Sequence, residues 1–330
     1  MIIRVLCALL ISFVVGVIIA PIIVSSVKKM KANQTVLHYV TAHKNKDGTP
    51  TLGGLIFIIA TIVGYCIFCD GQAGLGYVAL AIMVGYGLIG FLDDFIKIRT
   101  HKNEGLKPYQ KMIGQFGIAI LSSVFVYSNL GGEMYWPVGM YSLDMGWAVI
   151  PFVIFIYVAM TNSVNLTDGL DGLAGGVSVA SIGGILGILG IMIGSGEVIS
   201  MEEQYTNLII LGASGIGGIL AFLCYNSHPA KIFMGDTGSL ALGGLISSIA
   251  IFGGQALVLP IVGVMFVVSA VSVILQVIHY KRTKKRIFLM APLHHHFEKK
   301  GVNETKIVAI YIIVTMVASV LAMLLTMLWR

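Results

Sequence analysis

The sequence predicts an all-α polytopic membrane protein with about ten transmembrane helices, folded as a single domain over residues 1–330. Hydrophobic residues make up 57% of the chain and charged residues only 11%, whereas soluble domains carry about 25% charged residues. The mean hydropathy of +0.93 is too high for a globular surface in water. The apolar residues are grouped in runs of roughly 20, the length that crosses a bilayer as a helix.

Ten such runs follow one another along the chain. Their approximate bounds are 2–27, 52–69, 75–96, 112–130, 147–164, 172–194, 205–225, 239–253, 256–280 and 306–329. The first run has no small-residue cleavage site after a short core, so we interpret it as a retained span rather than a signal peptide. Glycines inside the runs are interpreted as positions where helices pack closely.

The loops between the runs alternate sharply in charge. One set, counted with the adjoining helix ends, holds 19 of the 21 lysines and arginines. It comprises 28–51, 97–111, 165–171, 226–238 and 281–305. The other side of the membrane has acidic loops, and its only basic residues are Arg4 and Arg330. Because loops rich in lysine and arginine stay in the cytoplasm, the basic set is predicted to be cytoplasmic and both termini to lie outside.

The residue types that carry chemistry follow the same division. All eight histidines fall on the basic side, together with the aspartates of the motifs described below. A transporter would more often carry ionisable groups near the bilayer midplane. The sequence therefore predicts an active site on the cytoplasmic face. On the opposite side, the aromatic and glycine-rich segment 131–146 predicts a short hairpin with its turn near Val138-Gly139.

Two adjacent aspartates, Asp93 and Asp94, lie near the end of the third run in the sequence FLDDFIKIR. Adjacent carboxylates repel each other, so a helix end beside a membrane is a poor place for them unless a cation is present. Lys97 follows Asp93 by four residues and shares its helix face, and Lys111 lies further along the same basic stretch. A solvated helix end is the alternative, and we favour a site for a cation or a phosphate.

The segment NLTDGLDGLAGG, residues 165–176, carries Asn165, Asp168 and Asp171 at intervals of three. If the segment is helical, these side chains fall toward one side, and its glycines leave that surface open to a ligand. Two acids without a basic residue are unusual in a loop on the basic side. This favours a functional role over a polar helix cap.

The segment HPAKIFMGDTGSLALGG, residues 228–244, places Asp236 in a glycine-rich turn before the eighth run. Glycine-rich backbone at a helix N-terminus presents N–H groups to anions. A carboxylate in that setting fits a metal ion that bridges to phosphate oxygens. Phe233 is an apolar ring in a polar loop, and it either stacks on a base or anchors the loop in the bilayer interface.

Three consecutive histidines, His294, His295 and His296, lie in the segment APLHHHFEKKG. Consecutive histidines converge poorly on one zinc ion, so contact with phosphate or orientation of an aspartate fits better. The cluster KRTKKR at 281–286 is interpreted as a topological determinant and a contact for anionic lipids. The segment 47–54 offers hydroxyl and N–H donors to a phosphate or a base.

Six segments taken together resemble the polyprenyl-phosphate N-acetylhexosamine-1-phosphate transferase superfamily. They are TPTLGG, FLDDFIK, KPYQK, NLTDGLDGLAGG, HPAKIFMGDTGSLALGG and PLHHHFEKKG, in this order between Thr49 and Gly301. PLHHHFE resembles the branch that transfers phospho-MurNAc-pentapeptide rather than the branch that transfers GlcNAc-1-phosphate. Leu52 stands where methionine is expected, which is a conservative departure.

The resemblance implies a reaction, a cofactor and a location. UDP-MurNAc-pentapeptide and undecaprenyl phosphate are the expected substrates, and undecaprenyl-pyrophosphoryl-MurNAc-pentapeptide (lipid I) and UMP the expected products, in peptidoglycan synthesis. Mg²⁺, or Mn²⁺ in its place, is the expected cofactor. A homodimer in the bacterial cytoplasmic (inner) membrane is expected, with no nucleic-acid partner. The alternatives are a transferase for UDP-GlcNAc and, from another class, a transporter of lipids or nucleotide sugars.

The resemblance also implies roles for individual residues. Asp236 is expected to hold the metal, and Asp93 to deprotonate or orient the lipid phosphate. Asp94 is expected to assist in binding the lipid phosphate or the metal. The candidate catalytic residues are Asp93, Asp94, Lys97, Asp236 and His294. The candidate substrate-binding residues are Lys46, Thr51, Lys111, Asn165, Asp168, Asp171, Asn226, Phe233, His295 and His296. Among these, Lys46, Thr51, Asp171, Asn226 and Phe233 are expected near the uridine, and the three histidines near the diphosphate.

Overall fold

A computed structural model describes residues 1–30, 49–71, 74–100, 104–138, 141–196 and 199–328. Over these residues the chain is mostly helical, which confirms the all-α membrane class. The helices are α1 (Ile2–Lys29), α2 (Gly54–Phe68), α3 (Gly74–Thr100), α4 (Pro108–Leu130), α5 (Val149–Thr167), α6 (Leu173–Ser195), α7 (Glu202–Asn226), α8 (Gly235–Phe252), α9 (Leu259–Val262), α10 (Val264–Thr283), α11 (Leu293–Lys299) and α12 (Glu304–Met327).

Each of the ten predicted runs contains a helix. Within the described ranges, nine helices are long and apolar enough to cross a membrane, while α2 is apolar but shorter, with 15 residues. The protein is therefore a multi-pass membrane protein. The ninth run is not continuous, because α9 ends at Val262 and α10 begins after Gly263. Pro260 lies in the first turn of α9, where its missing N–H costs no helical hydrogen bond.

Helix α8 occupies the centre of the bundle. In the 18-residue stretch of α8 that is apolar enough to cross a membrane, 89% of the residues are buried. The corresponding share is 22% for α1 and for α10. Small residues permit this burial, because they let neighbouring helix backbones approach closely. A Cβ atom added to Gly243 would meet the backbone of Thr161 on α5. The N-terminus of α8, which carries Asp236, is therefore held from several sides.

The predicted hairpin is confirmed. Strands β1 (Glu133–Tyr135) and β2 (Ser142–Asp144) pair antiparallel, with Glu133 opposite Asp144. The Tyr135 backbone N–H donates to the Gly254 carbonyl at 2.8 Å, so the hairpin packs on the bundle. The predicted turn at Val138-Gly139 lies partly outside the described residues.

The described residues of the two sets of loops lie at opposite ends of the bundle. At the hairpin end, Arg4 forms an ion pair with Asp70 at 2.7 Å. The hydrogen bond from the Arg4 guanidinium lowers the pKa of Asp70 below its ordinary value. At the other end, segments near residues 93–111, 165–171, 226–238 and 293–304 contact one another.

Reporter fusions test which end faces the cytoplasm. Fusions after Thr100 or Arg286 are expected to report a cytoplasmic position, and a fusion within 197–203 an external one, because lysine and arginine resist translocation. The measurement compares the activities of an alkaline phosphatase reporter and a fluorescent protein reporter at each position. The reverse pattern would place Asp93, Asp94 and Asp236 outside, away from the cytoplasmic nucleotide that the resemblance implies.

Candidate active site

Three aspartates converge where α3 meets the N-terminus of α8. One carboxylate oxygen from each of Asp93, Asp94 and Asp236 lies within 4.8 Å of the other two. Asp93 and Asp94 are each only 3% exposed, and Asp236 is half-buried. The sequence predicted acidic sites at 93–94 and at 236, and the fold joins them into one.

Glycine permits the close approach of the two helices. Gly90 lies one turn before Asp94 and faces the first turn of α8. A Cβ atom at Gly90 would lie 2.5 Å from the Thr237 backbone nitrogen, and closer still to the Asp236 carbonyl. Because real Cβ atoms essentially never come within 3.0 Å of another heavy atom, a larger residue would separate α3 from α8.

Asp94 binds the N-terminus of α8. One carboxylate oxygen accepts from the Thr237 N–H at 2.9 Å and from the Thr237 hydroxyl at 2.7 Å. The other accepts from the Asp236 N–H at 3.3 Å. The first turn of a helix has N–H groups without helical partners, and a residue from another helix satisfies two of them here. The sequence interpretation missed Thr237 and this capping contact.

Asp93 is covered by the segment that follows α3. Its carboxylate accepts from the Leu106 N–H at 2.8 Å and pairs with the Lys97 ammonium at 2.5 Å. A Cβ atom at Gly105 would lie 2.6 Å from the same carboxylate. The predicted partnership of Asp93 with Lys97 on one helix face is thus observed, and residues 104–106 cover the Asp93 carboxylate.

Asp236 is the most heavily contacted of the three aspartates. Its Oδ2 atom receives the ammonium groups of Lys111 at 2.8 Å and Lys97 at 3.2 Å. Its Oδ1 atom accepts from the Asn165 amide at 2.7 Å, and that amide also contacts the Ser239 hydroxyl at 2.8 Å. Asn165 therefore joins α5 to the site.

The donor set fits a divalent cation of the magnesium type. Three carboxylates meet at one point, and Mg²⁺ prefers oxygen ligands of this kind. Only two ammonium groups, those of Lys97 and Lys111, balance these three acids in the part of the chain described. Asp93, Asp94 and Asp236 are the residues that could hold such an ion, and the ammonium groups of Lys97 and Lys111 lie beside them.

The expectation that Asn165, Asp168 and Asp171 share one side is wrong. Helix α5 ends at Thr167, and Asp168 leaves it with a non-helical ψ of 51°. Asn165 faces Asp236, whereas the Asp171 carboxylate faces His228. Burial, followed by the carboxylates of Asp236 and Asp94, raises the pKa of Asp168 to about 8, so Asp168 borders the aspartate cluster.

Asp171 and Asn226 hold two loops together. Asp171 is 5% exposed, and its carboxylate accepts from the Ala230 N–H at 3.1 Å. The Asn226 side chain accepts from the Gly172 N–H at 2.9 Å and donates to the Ile232 carbonyl at 2.9 Å. Both predicted uridine contacts thus also fix the loops that carry them.

Glu304 is a residue that the sequence interpretation missed. Its carboxylate accepts from the Asp171 N–H at 2.7 Å and lies 3.4 Å from His228 Nδ1. It therefore ties the start of α12 to the turn at 168–172.

Two other predicted uridine contacts, Thr51 and Phe233, lie on two short segments that pair with each other through backbone hydrogen bonds. The Phe233 N–H donates to the Pro50 carbonyl, and the Gly53 N–H donates to the Phe233 carbonyl, each at 2.8 Å. This pairing brings the buried Thr51 close to Gly235, where a Cβ atom would lie 2.6 Å from the Thr51 hydroxyl. Lys46 lies outside the described residues.

The three histidines lie on the short helix α11 and face different neighbours. The rings of His294 and His295 are stacked obliquely at 4.4 Å, and both Nε2 atoms approach Gly169 beside Asp168. His296 instead accepts from the Leu289 N–H at 3.1 Å through Nδ1. The structure thus brings His294 and His295 to the edge of the aspartate site and turns Nδ1 of His296 toward the 288–289 segment.

His294 is completely buried, and neither ring nitrogen has a hydrogen-bond partner among the described residues. Burial, with a smaller contribution from His295, lowers the pKa of His294 to about 3. His294 is therefore neutral at physiological pH.

Two glycines of the 165–176 segment are packing positions rather than an open surface, because Gly175 faces Leu223 and Gly176 faces Ile312.

Comparison with known proteins places the chain in a family. The model of glycosyl transferase family 4 matches residues 75–254, the part that contains the three aspartates, both lysines and Asn165. The chain therefore belongs to glycosyl transferase family 4.

Relatives that match over nearly their full length show which members of glycosyl transferase family 4 the chain resembles. The chain is 40% identical over 325 residues to a phospho-N-acetylmuramoyl-pentapeptide-transferase of Desulfitobacterium hafniense, covering 97% of each chain. It is 43% identical to the protein of that name from Caldanaerobacter subterraneus, covering 96% of this chain and 97% of the relative. The Clostridium perfringens protein is 42% identical, with 95% and 96% covered. The chain belongs with the phospho-N-acetylmuramoyl-pentapeptide-transferases.

Proposed function

We propose that this protein transfers phospho-MurNAc-pentapeptide from UDP-MurNAc-pentapeptide to undecaprenyl phosphate, giving lipid I and UMP. The observation that carries the proposal is the buried cluster of three aspartates and two lysines at one end of a membrane bundle. It occurs in a chain about 40% identical, over nearly its full length, to transferases of that name. The proposed location is the bacterial cytoplasmic membrane, and the proposed assembly is a homodimer.

The chemical problem is electrostatic repulsion. A lipid phosphate must attack the β-phosphate of a nucleotide diphosphate, and both groups are anions. Lys97 and Lys111 already point their ammonium groups at one carboxylate oxygen of Asp236. When a substrate phosphate enters, the same ammonium groups can exchange that carboxylate for phosphate oxygens, which lowers the repulsion where charge develops.

Asp236, assisted by Asp93 and Asp94, is the proposed holder of Mg²⁺ or Mn²⁺. The bound ion would offset the repulsion between the two phosphates and stabilise the UMP leaving group. Asp94 keeps the first turn of α8 in place through Thr237. Asp93 is the candidate that orients or deprotonates the lipid phosphate, and for this residues 104–106 must move off its carboxylate.

Two mechanisms would give this transfer. Either the lipid phosphate attacks the β-phosphate directly, or an aspartate first forms a covalent phospho-enzyme. We favour direct attack, because lysines beside the site can align two phosphates without a covalent step. Single-turnover experiments without lipid acceptor distinguish the two, since only the covalent route releases a stoichiometric burst of UMP.

The histidines and the Asp168 carboxyl are proposed to border the diphosphate. His294, which is neutral, approaches Gly169 next to Asp168, and the His295 ring approaches the same glycine. An imidazole N–H can donate to a phosphate oxygen without requiring a full positive charge.

The assay for the proposed function uses purified protein with polyprenyl phosphate and two donors in parallel. UDP-MurNAc-pentapeptide is expected to give lipid product and UMP. UDP-GlcNAc is expected to give none. Product only from UDP-GlcNAc would assign the chain to the other branch, and vectorial uptake into vesicles without product would make it a transporter.

Phe233 is expected to hold the uracil ring. Stacking of a base on an aromatic ring contributes about 1–3 kcal/mol. Phe233→Ala should therefore raise KM for the UDP-sugar roughly tenfold to a hundredfold, whereas Phe233→Trp should be tolerated. Steady-state kinetics at varied donor concentration measure the effect, and an unchanged KM would return Phe233 to a role in anchoring the loop at the bilayer.

A further inference from the structure

The chain reverses direction after α10 and folds back along that helix. Lys284, the residue after Thr283, has a positive φ of 57°, which turns the chain. The Gln276 side chain then holds the returning segment. Its Oε1 accepts from the Ile287 and Phe288 N–H groups at 3.1 and 2.9 Å, and its Nε2 donates to the Phe288 carbonyl at 3.2 Å.

These contacts set the depth of the returning segment. Gln276 lies seven residues before the end of α10, which is about 10 Å along a helix axis. The segment therefore runs back beside α10, to a level about 10 Å before the end of that helix. Ile287 and Leu289 are 49% and 51% exposed at that level. Ile274 and Ile278 on α10 are also exposed, at 55% and 46%.

A basic cluster lies between the helix end and this apolar segment. It comprises Lys281, Arg282, Lys284, Lys285 and Arg286, all exposed. None of the five forms an ion pair with an acid in the part of the chain that the structure covers. The nearest acid along the chain, Glu298, instead contacts His295 at 2.8 Å. The five positive charges therefore remain available to an outside partner.

We propose that residues 281–289 form a binding element for the phosphodiester head groups of anionic phospholipids. The five cations lie at the C-terminal end of α10, and the half-exposed Ile287 and Leu289 lie beside that helix, about 10 Å before its end. A lipid supplies both a phosphate and a hydrocarbon chain in this arrangement. A soluble polyanion would satisfy the cations and leave the apolar side chains uncovered. Basic clusters beside a membrane span attract anionic lipids by charge.

Spin-labelled lipids provide the test. The full chain is reconstituted in phosphatidylcholine bilayers with trace spin-labelled phosphatidylglycerol or spin-labelled phosphatidylcholine. Electron paramagnetic resonance then measures the lipid fraction immobilised on the protein. The wild type should prefer phosphatidylglycerol, and high salt should remove the preference because surface charges are screened. The triple variant Lys281→Gln, Lys284→Gln, Lys285→Gln should lower the preference at least about threefold.

Two matched variants define the control. Replacement of the same three lysines by arginine keeps the charge and should keep the preference. Lys299→Gln with Lys300→Gln neutralises charge at the C-terminal end of α11 and should also leave the preference unchanged.

The proposal fails if the wild type shows no preference, or if the glutamine variant retains it. It also fails if one equivalent of unlabelled polyprenyl phosphate abolishes the preference, which would make the element an entry site for the acceptor. If the glutamine variant does not insert, the salt series on the wild type decides: a preference that persists at high salt contradicts a charge-based site.

Discussion

Asp236→Asn is expected to lower kcat by about 10²–10³-fold or more, the loss typical when one electrostatic element of a transition state is removed. The substitution keeps the size of the side chain and removes its charge. In the native site one Asp236 oxygen receives two ammonium groups and the other receives the Asn165 amide. An asparagine must direct its NH₂ group at one of these donors. The variant should therefore lose the proposed metal ligand and misplace Lys97 and Lys111 together.

The measurement is turnover across a Mg²⁺ titration, with binding of the UDP-sugar measured in parallel. Asp70→Asn, which changes an exposed acid at the opposite end of the bundle, is the matched control and should retain activity. Near-wild-type turnover of Asp236→Asn at ordinary Mg²⁺ would end the assignment of Asp236 as the metal ligand and shift it to Asp93 and Asp94.

Gly90→Ala is expected to damage the site through the backbone alone. The added methyl group would lie 2.5 Å from the Thr237 nitrogen, and neither helix backbone can yield without moving α3 away from α8. Overpacking of this kind costs about 1–3 kcal/mol of stability. Because a misplacement of about 1 Å can cost about 10²-fold in rate, kcat should fall at least tenfold even in folded protein.

Gly85→Ala provides the comparison within the same helix. Its Cβ atom would meet the tip of the Ile118 side chain at 3.0 Å, which can change rotamer. Thermal unfolding and kcat, measured on both variants, should show a large effect for Gly90→Ala and a small one for Gly85→Ala. Equal effects would mean that the approach of α3 to α8 does not control the site.

The sequence predicted those features that depend on local pattern. Apolar runs of membrane length located each span, because only helices satisfy their backbone hydrogen bonds in lipid. A glycine-flanked aspartate before such a run indicated the start of α8, and the spacing of four residues paired Asp93 with Lys97.

The features that it missed depend on contacts between distant segments. The end of α5 at Thr167 separates Asn165 from Asp171, and no spacing rule shows where a helix stops among glycines. Glu304 binds a backbone N–H 133 residues away, a partner with no signature of its own. Burial of His294 arises from packing of α11 against α12 and the 168–172 turn, which a run of three histidines does not reveal.

The central claim is that a phospho-sugar, rather than a sugar alone, moves to a lipid phosphate at this aspartate–lysine site. The most direct measurement uses UDP-MurNAc-pentapeptide labelled with ³²P in its β-phosphate, purified protein, undecaprenyl phosphate and Mg²⁺. The account predicts that the label enters the lipid product and that unlabelled UMP is released, with no transfer after chelation of the metal. Labelled UDP together with an unlabelled lipid product would contradict it, because the bond broken would then be the one between sugar and phosphate.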